Sequence, residues 1–244
     1  MVTNLLQRVR NKVRGILLAS GPERIKRYIW NAEFAKGRWD HLARTDGDCL
    51  YPFLEKYGHD GIILDLGCGS GNTGAELAAN AYHDYTGVDI SDVAIEKAKK
   101  KAEVDGRTQR NHYFQGDIRS YEPTQHFDLI LLRESIYYIP GPIMMATLHR
   151  YAKYLKPSGV IIVRLWTSQG KYGGIVKAIE ADFSIVEKSV SGPSETAVLV
   201  FRQVDGRQDA NSSEVNHVAM SSKVQGGRAL SSMRPSMNRS SQSF

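Results

Sequence analysis

The amino-acid sequence predicts an α/β fold, a doubly wound, mostly parallel sheet with helices on both faces. From Gly61 onward short apolar runs alternate with helical patterns, as strands joined by crossover helices do. Two last apolar runs, SIVEKSV (184–190) and TAVLVF (196–201), are joined by the turn-forming SGPS, so they read as a β-hairpin that adds an antiparallel strand. With 244 residues, 41% of them apolar, the chain can bury one full core, and a single domain is expected over residues 31–202.

The elements follow in order. In residues 1–30, Val2, Leu5, Leu6, Val9, Val13, Ile16 and Leu17 recur at helical spacing while Arg8, Arg10, Lys12 and Arg14 take other positions, which predicts a basic amphipathic helix. Such a helix can pack on the domain with its charges in water, lie on an anionic membrane through residues 2–17, or belong to a transit peptide. IILDL (62–66) reads as the first strand, followed by a helix near 72–80. YTGVD (85–89) is the second, followed by a helix over 93–104 with Ser91 and Asp92 as capping candidates. HYFQ (112–115), FDLILL (127–132), a helix over 143–155 and VIIVRL (160–165) complete the alternation. Residues 203–244 hold ten serines and few large apolar side chains, the composition of a disordered tail.

Charge and cysteine content narrow the function classes. Residues 1–29 carry Arg8, Arg10, Lys12, Arg14, Arg24, Lys26 and Arg27 against Glu23, seven minus one, which is the whole net charge of +6. A nucleic-acid enzyme spreads its cations over a binding face, so this local excess argues against a nucleic-acid partner. The two cysteines, Cys49 and Cys68, fit neither a disulfide framework nor a zinc spacing, and no run reaches the roughly 20 apolar residues of a membrane span. A cytoplasmic protein, in peripheral membrane contact at most, is expected.

LDLGCGSGNTG (64–74) follows the first strand, where an open α/β sheet binds its ligands. GSGNTG alone matches the G-x-G-x-x-G of a dinucleotide site, but Asp65 and Gly67 extend it to D-x-G-x-G-x-G. Asp89 ends the second strand and can accept from both hydroxyls of a ribose, which suits NAD and adenosylmethionine equally. Asp117 follows the third strand, placed to accept from an adenine amino group. Asp65, in an otherwise apolar strand, must be hydrogen-bonded, and the backbone N–H groups of the glycine turn are its expected donors. Taken singly, Asp89 and Asp117 could each simply cap a loop.

In this order, Asp65-Leu66-Gly67-Cys68-Gly69-Ser70-Gly71, Asp89, Asp117 and FDLILL resemble the motifs of class I S-adenosylmethionine-dependent methyltransferases. The resemblance covers roughly residues 33–202. It implies a seven-stranded sheet of order 3-2-1-4-5-7-6 with strand 7 antiparallel, and S-adenosyl-L-methionine as cofactor. It further implies that Gly67, Cys68, Gly69 and Gly71 shape the pocket for the methionine part and that Asp65 braces the loop. Asp89 and Ile90 would hold the ribose, Asp117 and the Ile118 backbone the adenine, and Arg133 the methionine carboxylate.

The acceptor side is sparser. RESIYYIP (133–140) should lie over the methyl group, with Glu134 or Tyr137 orienting or deprotonating an acceptor; the alternative is that the tyrosines wall the pocket and Arg133 pairs with Glu134. RESIYYIP differs from the motif of adenine-N6 methyltransferases, and the paired-glutamate loop of protein arginine methyltransferases is absent. A small-molecule or glycoconjugate acceptor, methylated on oxygen or nitrogen, is therefore favoured. The aromatic and charged cluster Trp30, Glu33, Phe34, Lys36, Gly37, Arg38, Trp39, Asp40 and His41 should cover the cofactor, with His41 a possible base. Trp166 could contact the acceptor or close the core. Two rival readings remain: a non-catalytic adenosylmethionine-binding scaffold, and an NAD(P)-dependent oxidoreductase.

Overall fold

The computed structural model describes residues 2–40, 47–167, 172–191 and 196–204, without the side chains of 2–7 and 191. The strands are β1 (Ile62–Leu66), β2 (Asp84–Asp89), β3 (Asn111–Gln115), β4 (Phe127–Arg133), β5 (Leu155–Trp166), β6 (Ser184–Ser191) and β7 (Thr196–Arg202). They form one seven-stranded sheet of order β3-β2-β1-β4-β5-β7-β6. β7 runs antiparallel to both its neighbours and the other pairings are parallel, so the expected terminal hairpin is present. Its turn, 192–195, and the proposed tail from residue 205 lie outside the described residues.

Side-chain alternation along the central strands builds two cores. Leu64, Leu66, Ile130, Leu132, Ile161 and Val163 face one way and pack on α6 (Gly141–Ala152) and α7 (Gly173–Asp182) through Leu148, Tyr151 and Ile179. Ile63, Leu129, Leu131, Val160 and Ile162 face the other way, toward α3 (Tyr51–Gly58) and α5 (Asp92–Val104) through Leu54, Ile95 and Ala98. A period of two in strands buried on both faces places helices on both sides.

Several boundaries differ from the sequence reading for identifiable reasons. The helix after β1, α4, covers only Asn72–Glu76. The Arg107 guanidinium donates to the Gly74 and Leu77 carbonyls at 2.9 and 2.6 Å, which satisfies the free C=O groups of that helix end. α6 ends at Ala152, three residues before the expected limit, because β5 begins at Leu155, paired with Phe127. The N-terminal region holds two helices, α1 (Val2–Ser20) and α2 (Glu23–Ala35), separated at Gly21-Pro22. α7 has no counterpart in the sequence reading.

β4 lies at the centre of both cores. Leu131→Ala, at a fully buried position, should lower the unfolding free energy in chemical denaturation by about 2–5 kcal/mol. Val190→Ala, on a side chain 60% exposed, should change it by no more than about 0.5 kcal/mol; equal losses would contradict this layering.

Candidate functional site

At the carboxyl ends of β1, β2 and β4 a cavity opens under the N-terminal helices. Its floor is the glycine loop. Gly67 takes φ +85°, and a Cβ there would sit 2.5 Å from the Ser135 Cβ, so only glycine lets the loop pass the end of β4. The Ser135 hydroxyl then donates to the Leu66 carbonyl at 2.6 Å. Gly67 and Cys68 N–H groups both donate to the Val88 carbonyl, at 2.7 and 3.1 Å. Gly67, Cys68 and Gly69 border the cavity, but Gly71 does not. At Gly71, φ is +76° and a Cβ would meet the Ala98 Cβ at 2.8 Å, so its smallness serves the close approach of α5.

Asp89 and Asp65 divide the bracing differently from the expectation. Asp89 accepts from the Gly69 N–H at 3.0 Å and from the Ser91 N–H at 2.9 Å, and so braces the loop itself. Asp65 accepts from the Tyr85 hydroxyl; its other oxygen is buried without a hydrogen-bond partner. The reason is geometric: Asp65 points across β1 to Tyr85 of β2, whereas Asp89 ends its strand beside the turn. Burial pushes the Asp89 carboxyl up to about 6 against the pull of the Ser91 and Gly69 donors. Burial likewise pushes Asp65 up to about 6, with the Tyr85 hydroxyl and Arg133 pulling it down and Asp89 adding to the rise. Both carboxylates border the cavity, as does Ile90.

At one end of the cavity lie Asp117, Ile118 and Arg119. Burial alone would raise the Asp117 carboxyl, yet the Lys26 ammonium, the Arg119 N–H and the Arg119 guanidinium together hold it below its ordinary value. The Lys26 side chain is buried with it, a partner 91 positions distant in sequence that local pattern does not reveal.

At the other end Arg133 donates to Asp48 at 2.8 Å, to the Thr73 hydroxyl at 3.2 Å and to the Tyr51 hydroxyl at 3.3 Å. Arg164 reaches Asp48 at 3.2 Å and also binds Glu134. The alternative of an Arg133–Glu134 pair is therefore corrected: Asp48 holds Arg133 and Arg164 holds Glu134. Asp48 sits in a loop before α3 and Arg164 in β5, and no motif flagged either. Glu134, which borders the cavity, has φ +54°, a left-handed conformation uncommon for a non-glycine residue.

Tyr137 does not border the cavity. Its hydroxyl donates to Glu134 and accepts from the Trp166 N–H at 2.9 Å, and its ring packs on Tyr172 at 4.4 Å. Burial and the Glu134 carboxylate push its phenol well above the ordinary value, so it is a neutral donor rather than a base. Trp166, 51% exposed, is outside both the core and the cavity lining, because alternation along β5 buries Leu165 and turns its last residue outward. His41 lies outside the described residues.

The roof is aromatic. Trp30 of α2 meets Tyr138 edge-on at 4.9 Å and tilts against Trp39 at 5.7 Å and Phe34 at 6.2 Å; all four border the cavity, with Leu18 of α1. Other members of the N-terminal cluster fasten this roof: Glu33 holds Arg38 at 3.0 Å and Asp40 holds Lys97 at 3.1 Å. α2 is fixed to the start of α5, where Arg27 donates twice to Asp92 at 2.7 Å and the Ser91 hydroxyl donates to Asn31 at 2.7 Å.

Residues 63–159 match a family model described as a methyltransferase domain. A sterol 24-C-methyltransferase of Gibberella zeae is 26% identical over 152 residues, covering 57% of this chain and 39% of that protein. The chain thus spans about two fifths of the length of that relative. Among solved structures, magnesium protoporphyrin IX methyltransferase of Synechocystis with bound SAM aligns at TM-score 0.59 and 18% identity, over 74% of this chain and 97% of that one. The 1,6-didemethyltoxoflavin-N1-methyltransferase of Burkholderia thailandensis also aligns at 0.59 and 18%, over 73% and 87%. Residues 63–159 thus match a methyltransferase domain, and the sheet order and the glycine loop beside the Asp65 and Asp89 carboxylates agree with the resemblance to class I S-adenosylmethionine-dependent methyltransferases.

Proposed function

We propose that the protein binds S-adenosyl-L-methionine along this cavity and transfers its methyl group, in line, to an oxygen or nitrogen of a small molecule or glycoconjugate. One observation carries the reading: Asp65 and Asp89 are buried at the glycine loop with no basic side chain paired to either among the described residues. A pyrophosphate there would face two carboxylates at close range, and like charges in a poorly hydrated site repel strongly. A ligand with an ammonium, a sulfonium and a ribose diol instead supplies the donors and positive charge that the site lacks. The free oxygen of Asp65 suits the ammonium, Asp89 the diol, Asp117 the adenine amine, and Arg133 the carboxylate, shared with Asp48.

When bound, the cofactor supplies an electrophilic methyl on sulfur. The chain's own part is alignment and exclusion of water. Tyr138, Trp39 and Trp30 close the cavity over that end, and Glu134, held by Arg164 and Tyr137, is positioned to orient an acceptor's O–H or N–H. The names of the similar proteins, a sterol and a porphyrin methyltransferase among them, favour a small organic acceptor.

Calorimetry should show binding of S-adenosylhomocysteine and none of NAD, with Asp89→Asn weakening the former by about 10- to 100-fold through loss of a charged acceptor. Binding of NAD alone would sink the proposal. A methyl-labelled donor incubated with a metabolite or glycolipid extract should pass label to an extractable compound, whereas tight cofactor binding without transfer across broad pools would favour a scaffold. The pH dependence is set by carboxyls that sit at about 6 in the free protein. Ligand donors require the ionised form, so affinity for S-adenosylhomocysteine should be flat above about pH 7 and fall about tenfold or more per unit below pH 6. Asp89→Asn should make that fall shallower; an unchanged profile would remove Asp89 from the contact.

A further inference from the structure

α1 is held to the domain along one side. Leu18 is buried, the Arg14 guanidinium lies 5.8 Å over the Trp30 ring and 3.5 Å from Glu33, and the Ala19 carbonyl accepts from Arg119 at 3.5 Å. At about 100° per residue the opposite side of the helix carries Val9, Val13 and Ile16. These side chains are 53%, 49% and 58% exposed. Arg8, Arg10 and Lys12, all exposed, flank that stripe, and no acid occurs before Glu23. The apolar face is therefore turned away from the protein rather than toward it.

We propose that this face of α1 docks on an anionic lipid surface, with Val9, Val13 and Ile16 entering the headgroup boundary and Arg8, Arg10 and Lys12 meeting the lipid charges. Charge complementarity decides among occupants. A second copy laid stripe on stripe would bring its own three cations against these three with no acid on either helix to offset them. A nucleic acid would use the cations and leave the apolar stripe in water. An anionic membrane satisfies both, since a row of apolar side chains flanked by basic ones matches an acyl boundary beneath negative headgroups. Leu18, on the side of the helix opposite Val9, borders the cavity, so the helix that would lie on the lipid also forms part of the cavity wall.

Flotation of the full chain with phosphatidylcholine vesicles, with and without phosphatidylglycerol, tests this. The protein should float with the anionic vesicles and much less with neutral ones, and added salt should release it. R8E/R10E/K12E should reduce partition by about 100-fold, and V9S/V13S/I16S by about tenfold or more. Thermal melts followed by circular dichroism should match the wild type in both variants, which separates lost docking from lost folding without reference to methyl transfer. Failure of the wild type to float with anionic vesicles, flotation of V9S/V13S/I16S equal to wild type, or a wild-type dimer split by that variant would each overturn the proposal.

Discussion

The Asp89 carboxylate is the tie on which the cavity depends. Its two oxygens take the N–H of Gly69, in the loop after β1, and the N–H of Ser91, in the turn before α5. Two segments that would otherwise be set independently thus register on the end of β2. The linkage then extends outward. Ser91 caps α5 by accepting from the Ala94 N–H at 3.1 Å and donates to Asn31, while Asp92 holds Arg27, so α2 and its aromatic residues register on the same point. A buried carboxylate without a cation is costly, and the rise of its pKa to about 6 is the measure of that cost. Folding tolerates it because two otherwise orphaned backbone donors are satisfied in exchange.

Charge along the cavity is graded. At its two ends the carboxylates are neutralised, Asp117 by Lys26 and Arg119, Asp48 by Arg133 and Arg164. Both ends hold their carboxyls below the ordinary value despite burial. Between them, Asp65 and Asp89 have only neutral donors. Each end thus holds its carboxylate with cations, while in the middle Arg133 only partly offsets the charge of Asp65 and no cation pairs with Asp89 among the described residues. Under the proposed reading this distribution would favour a molecule whose positive charge is central, whereas two ligand classes share the glycine pattern.

The strands and the acids near their ends were legible in the sequence because both follow from local pattern, whereas the strand order followed only from the resemblance to a known family. Apolar runs of strand length mark β1 to β5, and an acid at the last position of a strand needs no tertiary knowledge to be noticed. What escaped was pairing between distant segments. Asp65 was expected to brace the loop that follows it, but its partner Tyr85 is fixed by the parallel register of β1 on β2. Lys26 sat unremarked in a basic run, and its burial on Asp117 appears only when α2 crosses the sheet edge. Gly71 illustrates a subtler error: its left-handed conformation was foreseeable, yet the surface it makes room for is Ala98 rather than a ligand.

The same comparison separates the two acids assigned to the adenosine. An ionised carboxylate offers about four lone-pair sites. On Asp117 the Lys26 ammonium, the Arg119 backbone N–H and two N–H groups of the Arg119 guanidinium already supply four donors, and those cations keep it charged. A further donor there would have to share or displace one of these contacts. Asp89 accepts from the Gly69 and Ser91 N–H groups, the Ile90 N–H also lowers its pKa, and no side chain among the described residues is seen to donate to it. Its charge is less secure because no cation supports it. The Asp117 carboxylate is therefore held ionised by its own cations, while the Asp89 carboxylate has only backbone donors to favour its charged form. Of the two, Asp89 is thus the carboxyl whose protonation falls near pH 6.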